Sequence, residues 1–121
     1  VRVGGEVRGL PPSTEHGSHI HEKGDCGDNG NASGGHFNPA GGTHGKYGAA
    51  GSHAGELPSL VADASGVARF SVDNHTISLT PGAANNVIGR ALVVHRDRDD
   101  FTTQPAGNSG PRIACAVITK S

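Results

Sequence analysis

NNVIGRALVVH, residues 85–95, is the stretch that decides how this chain folds. From Val87 to His95 it is dominated by Val, Ile and Leu, and no helical period runs through it. Aliphatic and β-branched residues at that density make a strand. The strand ends on His95, so that imidazole has a fixed place in the fold.

The neighbouring segments read the same way. RIACAVI, residues 112–118, is a last strand beyond a polar stretch, Asp97 to Pro111, punctuated by Gly and Pro. Upstream lies the short TISLT segment at 76–80. LPSLVADASGVARFSV at 57–72 sets two apolar runs around Ala64-Ser65-Gly66, which is a hairpin signal. GSHIH at 17–21 is another strand, and Val1 to Leu10 alternates apolar and charged residues around a Gly pair, a half-buried strand with a bulge. Short strands separated by turns, without helical period or internal repeat, predict an all-β sandwich or barrel of about six strands.

The 121 residues are expected to form one domain, 1–121, with a single modest core. With no Trp, no Met, one Tyr and three Phe, that core must come from Val, Ile, Leu and Ala. A formal net charge of -1 gives no reason to expect nucleic acid or an acidic membrane as partner. No run approaches the roughly 18 apolar residues of a membrane span. No signal peptide is visible, and Val1 at the first position reads as a processed or trimmed chain.

Gly24 to Gly55 stands apart. It is rich in Gly, Asn and His, has almost no apolar periodicity, and is too long for an ordinary connector. Either it is disordered or something other than a core holds it. His36, His44 and His53 punctuate it and Glu56 follows; three imidazoles and a carboxylate make a tetrahedral zinc set. Bound metal would order such a loop, because binding energy becomes folding energy. The competing reading is a solvated, His-rich loop. Upstream lies HGSHIHEKGDC, residues 16–26, where His19 and His21 share one face of a strand and can converge on one ion. Imidazole-rich sites suit copper as well as zinc. Cys26 and Cys115 could be thiols in a reducing cytosol or close a long loop in an oxidising compartment. From the residues alone these stand about even.

HGSHIHEKGDC, GGHFNP, HG at 44–45, SHAGELPSL, VIGRALVVH, DD at 99–100 and GNSGPRIACAVI, in that order and over nearly the whole chain, resemble the copper-zinc superoxide dismutase family. The resemblance implies an eight-stranded Greek-key β-barrel, here with about six strands and a long metal-binding loop, and the dismutation of superoxide anion with copper and zinc as cofactors. It implies His19, His21, His36 and His95 as copper ligands, and His36 also as the bridge to zinc and the proton shuttle. His44, His53 and Glu56 complete the zinc set. Arg112 is implied as the arginine that guides and holds the anion beside copper. Asp99 is the carboxylate that links a copper histidine to a zinc histidine. Cys26 and Cys115 are the intrasubunit disulfide. His16 matches a structural histidine, and His75 matches no role.

Several positions depart from the family pattern. Glu56 replaces an aspartate, and Ser18 stands where a bulky aromatic usually points inward. The segment from Phe101 to Ala106 is shorter than the charged channel loop of many animal and plant members and lacks its Lys and Glu, leaving Arg96 and Arg98 to supply positive field. The short loop and ELPSL look more like bacterial members, and an extracytoplasmic location (periplasm, cell surface or secreted) is the expectation. The chain starts where the family's third strand would start. An open side there, on which a polar Ser18 is tolerable, predicts a homodimer through an unusual interface; a trimmed monomer is the rival. A zinc hydrolase would need an open zinc position, which four protein ligands do not leave. A copper-storage or metal-buffering module remains the non-catalytic alternative.

Overall fold

The computed structural model describes residues 1–39, 41–42, 45, 53–74, 77–100 and 110–119. Among them lie seven strands: β1 (Arg2–Val7), β2 (Glu15–His16), β3 (Ser18–His21), β4 (Leu60–Val61), β5 (Ala68–Asp73), β6 (Ala91–His95) and β7 (Arg112–Val117). All pairings are antiparallel: β1 with β5, β2 with β4, and a three-stranded ladder β3-β6-β7. The all-β fold expected from the sequence is what forms, with seven short strands in three sheets among the described residues where about six strands were expected. One 3-10 turn, Asn31–Ser33, lies inside the long loop.

Two segments differ in detail from the sequence reading. The strand that ends on His95 begins at Ala91, because Val87 to Arg90 is a turn closed by Arg90 N–H to Val87 O at 3.0 Å. The 57–72 hairpin has its turn, with Asp63 N–H on Val67 O at 2.9 Å, but the two-residue β4 pairs with β2 instead of β5. Between Ile77 and Thr80 the described residues form only an isolated bridge, Ser78 to Asn86.

The core has two parts. Val3, Ile20, Phe37, Ala54, Leu57, Ile77 and Val87 form one, and Leu10, Leu60, Ala62, Ala68 and Val94 the other; Phe70 and Leu92 pack against both. β3 shows why its sequence alternates. Ile20 is fully enclosed in the first cluster, while His19 and His21 point to the opposite face, so the strand is buried on both sides.

The long loop is better anchored than its composition suggests. Phe37 and Ala54 sit in the core, and the backbone of Phe37, Gly55 and Ile20 interlocks: Phe37 N–H to Ile20 O at 2.7 Å, Ile20 N–H to Gly55 O at 2.8 Å, Gly55 N–H to Phe37 O at 2.9 Å. A Cβ on Gly55 would stand 2.4 Å from Ile20 O, so only glycine permits this approach. Two hydrogen bonds tie Phe37 and Gly55 to Ile20 of β3, a third joins Gly55 to Phe37, and two apolar side chains reach the core.

Among the described residues β1 pairs only with β5 and β7 only with β6, and between their outer edges runs a groove of about 410 Å³ lined by residues such as Val3, Phe70, Leu92 and Val117. Ser18 does not belong to this open side. It is buried in β3, and its hydroxyl donates to Pro58 O at 3.4 Å.

Candidate metal centre

A register shift in β6-β7 builds one wall of the site. Val94 faces Ala114, but His95 faces Arg112, so Ile113 is skipped and bulges outward. Bulges re-aim side chains; this one sets Arg112 next to His95. β3 supplies His19 and His21 from the adjoining strand, in register with Val93 and Ala91. His36 comes from the loop, held by an isolated bridge to His21.

One ring nitrogen from each of His19, His21, His36 and His95 lies within 4.8 Å of the others, and all four residues are buried. The rings of His19 and His36 stack at 3.9 Å, and those of His19 and His95 meet edge-on at 5.0 Å. Hydrogen bonds fix which nitrogen each ring presents. His21 donates from Nδ1 to Gly34 O at 2.9 Å and His95 from Nδ1 to Gly110 O at 3.0 Å. Their Nε2 atoms are buried with no hydrogen-bond partner. His19 meets Asp99 Oδ2 through Nε2 at 2.6 Å, leaving Nδ1 to face the cluster. A ligating histidine whose second nitrogen is bonded to carbonyl or carboxylate is oriented for metal.

Burial dominates the protonation of these rings. It lowers His21 to about 3 and His95 to about 4, against the backbone bonds that would raise them. His19 is also lowered, chiefly by burial and against its bond to Asp99. His19, His21 and His95 are therefore neutral at pH 7, as metal ligation requires.

His36 faces two ways. Its Nδ1 is 3.0 Å from Glu56 Oε1 and 3.3 Å from His53 Nδ1, and Glu56 Oε1 is 3.2 Å from His53 Nδ1. His36, His53 and Glu56 thus form a second buried donor cluster on the far side of the same ring. Glu56 Oε2 accepts the Gly45 amide at 3.3 Å. His44 and His75, like the segment from Phe101 to Ala106, lie outside the described residues. The donor sets fit the two metals: four imidazoles suit copper, and imidazole with carboxylate suits zinc.

His16, fully enclosed, bridges Thr14 Oγ1 at 2.7 Å and His95 O at 2.8 Å, so it supports the strand end that carries His95. Cys26 and Cys115 are joined as a disulfide, with Cα atoms 5.7 Å apart. Arg96 is bound to Asp97 at 3.0 and 2.9 Å, and Arg98 lies 3.8 Å from Glu15. Each exposed arginine therefore spends its charge beside an acid. The sequence reading missed the groups that orient the site: the carbonyls of Gly34 and Gly110, and Gly30 and Ser33, which hold Arg112. Their one sequence signal is the glycine excess around the histidines.

Comparison with known proteins places these features together. The copper/zinc superoxide dismutase family model matches residues 1–118. Superoxide dismutase [Cu-Zn] 2 of Aquifex aeolicus is 44% identical over 93% of this chain and 68% of its own length. Superoxide dismutase [Cu-Zn] of Paramecium bursaria Chlorella virus 1 is 40% identical over 98% of the chain and 65% of its own length. The chain thus spans about two thirds of these relatives. The crystal structure of a double mutant of a SOD-like protein from Bacillus subtilis superposes with a TM-score of 0.90 at 36% identity, over 98% of this chain and 80% of that one. With a family match over nearly its whole length and the fold to go with it, the chain belongs to the copper/zinc superoxide dismutase family.

Proposed function

We propose that this chain is a superoxide dismutase that holds copper with His19, His21, His36 and His95 and zinc with His36, His44, His53 and Glu56. The observation that carries the reading is the double-faced ring of His36, with one nitrogen in a four-imidazole cluster and the other beside His53 and Glu56. When bound, copper supplies reversible one-electron exchange, so that two superoxide anions and two protons become dioxygen and hydrogen peroxide, and zinc supplies positive charge and order.

The chain's own residues do the rest. Neutral His21 and His95, fixed by backbone carbonyls, and His19, fixed by Asp99, present lone pairs without rearrangement. His36 can hold a proton at Nε2 while Nδ1 stays on the zinc side, and deliver it to the peroxide product. Arg112 keeps a permanent charge and a planar donor fork at the edge of the cluster, suited to a diatomic anion. Its charge is close enough to depress both His21 and His95.

Metal analysis and superoxide decay, measured before and after copper and zinc loading, test this. Turnover that appears with copper supports the enzyme. Tight copper binding without superoxide turnover would make the chain a metal-storage module instead.

Two further points belong to the same reading. The β1 and β7 edges and the apolar groove between them support a homodimer in which a second copy covers this side, since unpaired edges invite pairing. A compact monomer in sedimentation at micromolar concentration would contradict it. An extracytoplasmic location, expected from the bacterial-like ELPSL segment, is tested by fractionation of the source cells.

A further inference from the structure

Arg112 is held through one nitrogen only. Its Nη1 donates to Gly30 O at 2.8 Å and to Ser33 Oγ at 3.0 Å, while the Ser33 hydroxyl itself donates to Gly30 O at 2.6 Å. The three groups form a closed triangle, and Ser33 is fully buried within it. Both Nη1 protons are consumed on the wall of the loop. Among the described residues Nε and Nη2 have no hydrogen bond, so that edge of the guanidinium is left for a ligand. The backbone is shaped for the triangle as well. Gly30 takes φ 84°, and a Cβ there would press within 3.3 Å of the Arg112 stem.

Ser33 is braced in turn. Its carbonyl accepts the Lys23 amide at 3.0 Å, and the next residue, Gly34, gives its carbonyl to His21. One short turn therefore sets both the rotation of the Arg112 fork and the tautomer of His21.

We propose that Ser33 is a positioning residue that acts through Arg112. Its hydroxyl stops rotation about the Cζ–Nη1 bond and turns the Nε–Nη2 edge toward a small monovalent anion. This rests on the reading that Arg112 holds the anion. Without the hydroxyl the guanidinium keeps its charge and the Gly30 contact but loses its fixed plane, and bidentate recognition depends on that plane.

The test uses copper- and zinc-loaded protein and azide as the anion, followed by the optical spectrum of oxidised copper. Arg112→Ala should weaken azide strongly, and Ser33→Ala should weaken it by roughly threefold to tenfold, the size of one ordinary hydrogen bond, since Arg112 keeps its charge and its Gly30 contact. Ser33→Thr, which keeps the hydroxyl, should bind azide as the parent does. In the reduced, diamagnetic protein, the Arg112 Nη resonances should be resolved in the parent and averaged in Ser33→Ala. Parental azide affinity in Ser33→Ala, with weakened binding in Arg112→Ala, would overturn the role of Ser33 alone. Weakened azide with unchanged Arg112 resonances would also overturn it, because the effect would then run through His21. Parental affinity in Arg112→Ala would overturn the anion role of Arg112 and this inference with it.

Discussion

Oδ2 of Asp99 lies 2.6 Å from Nε2 of His19, and neither side chain is open to solvent. The pair joins positions 80 residues apart in sequence. A buried carboxylate on one ring nitrogen fixes the ring and turns its other nitrogen toward the four-imidazole cluster. Replacing Asp99 with Ala should leave the four imidazoles in place but lower copper affinity by roughly 10–100-fold, the usual cost of losing such a partner. Competition against a calibrated chelator measures it, and parental affinity would show that Asp99 does not orient the ligand.

Glu56 is the carboxylate of the proposed zinc set. Its carboxylate lies between His36 and His53, within 3.2 Å of both. Glu56→Ala should release zinc during dialysis against a chelator that the parent protein withstands. Glu56→Asp should retain zinc with altered affinity, since it shortens the arm by one methylene. Zinc retained equally in Glu56→Ala would remove Glu56 from the ligand set. Hydrogen exchange should show the amides of Phe37 and Gly55 still protected in the zinc-free form, because core packing and β3 hold them.

That last expectation marks where sequence reading reached its limit. The strand that ends on His95, the strand that carries His19 and His21, and the gathering of these two with His36 and His95 were legible because each rests on local alternation or on a motif quoted whole. The anchoring of the loop was not, because Phe37 and Ala54 are isolated apolar residues whose partners lie across the fold. Nor could any local pattern reveal that Gly34, Gly110 and Gly30 act through their carbonyls. A carbonyl has no residue-type signature. Ser18 was misread for a related reason: its polarity suggested an open surface, whereas a single bond to Pro58 satisfies it inside.

The disulfide closes a loop of 89 residues. Replacing both cysteines with Ser should lower unfolding stability by up to about 4.6 kcal/mol in the chain-entropy model. Denaturant unfolding of the metal-free proteins reads this directly. Two free thiols in native, fully active protein would contradict the bridge.

Asp63 controls the turn before β5. Its Oδ1 accepts the amides of Ser65 at 2.8 Å and Val67 at 3.1 Å, and these bonds hold its pKa below the ordinary carboxylate value. A depressed folded pKa means that the stabilisation is present above the unfolded value, near 4, and is lost as pH falls through the folded one. Asp63→Ala should therefore lower Tm at pH 7. The gap between variant and parent should narrow below pH about 4. A gap that is the same at pH 7 and pH 3 would show that the carboxylate's charge plays no part.

The most direct test of the account is superoxide decay followed by stopped flow with copper- and zinc-loaded protein, beside His95→Ala and His21→Ala loaded in the same way. The four-imidazole centre predicts rapid, copper-dependent decay by the parent and none above background by either variant. Decay by either variant at the parental rate, with copper bound, would contradict the assignment of these histidines to the reacting metal.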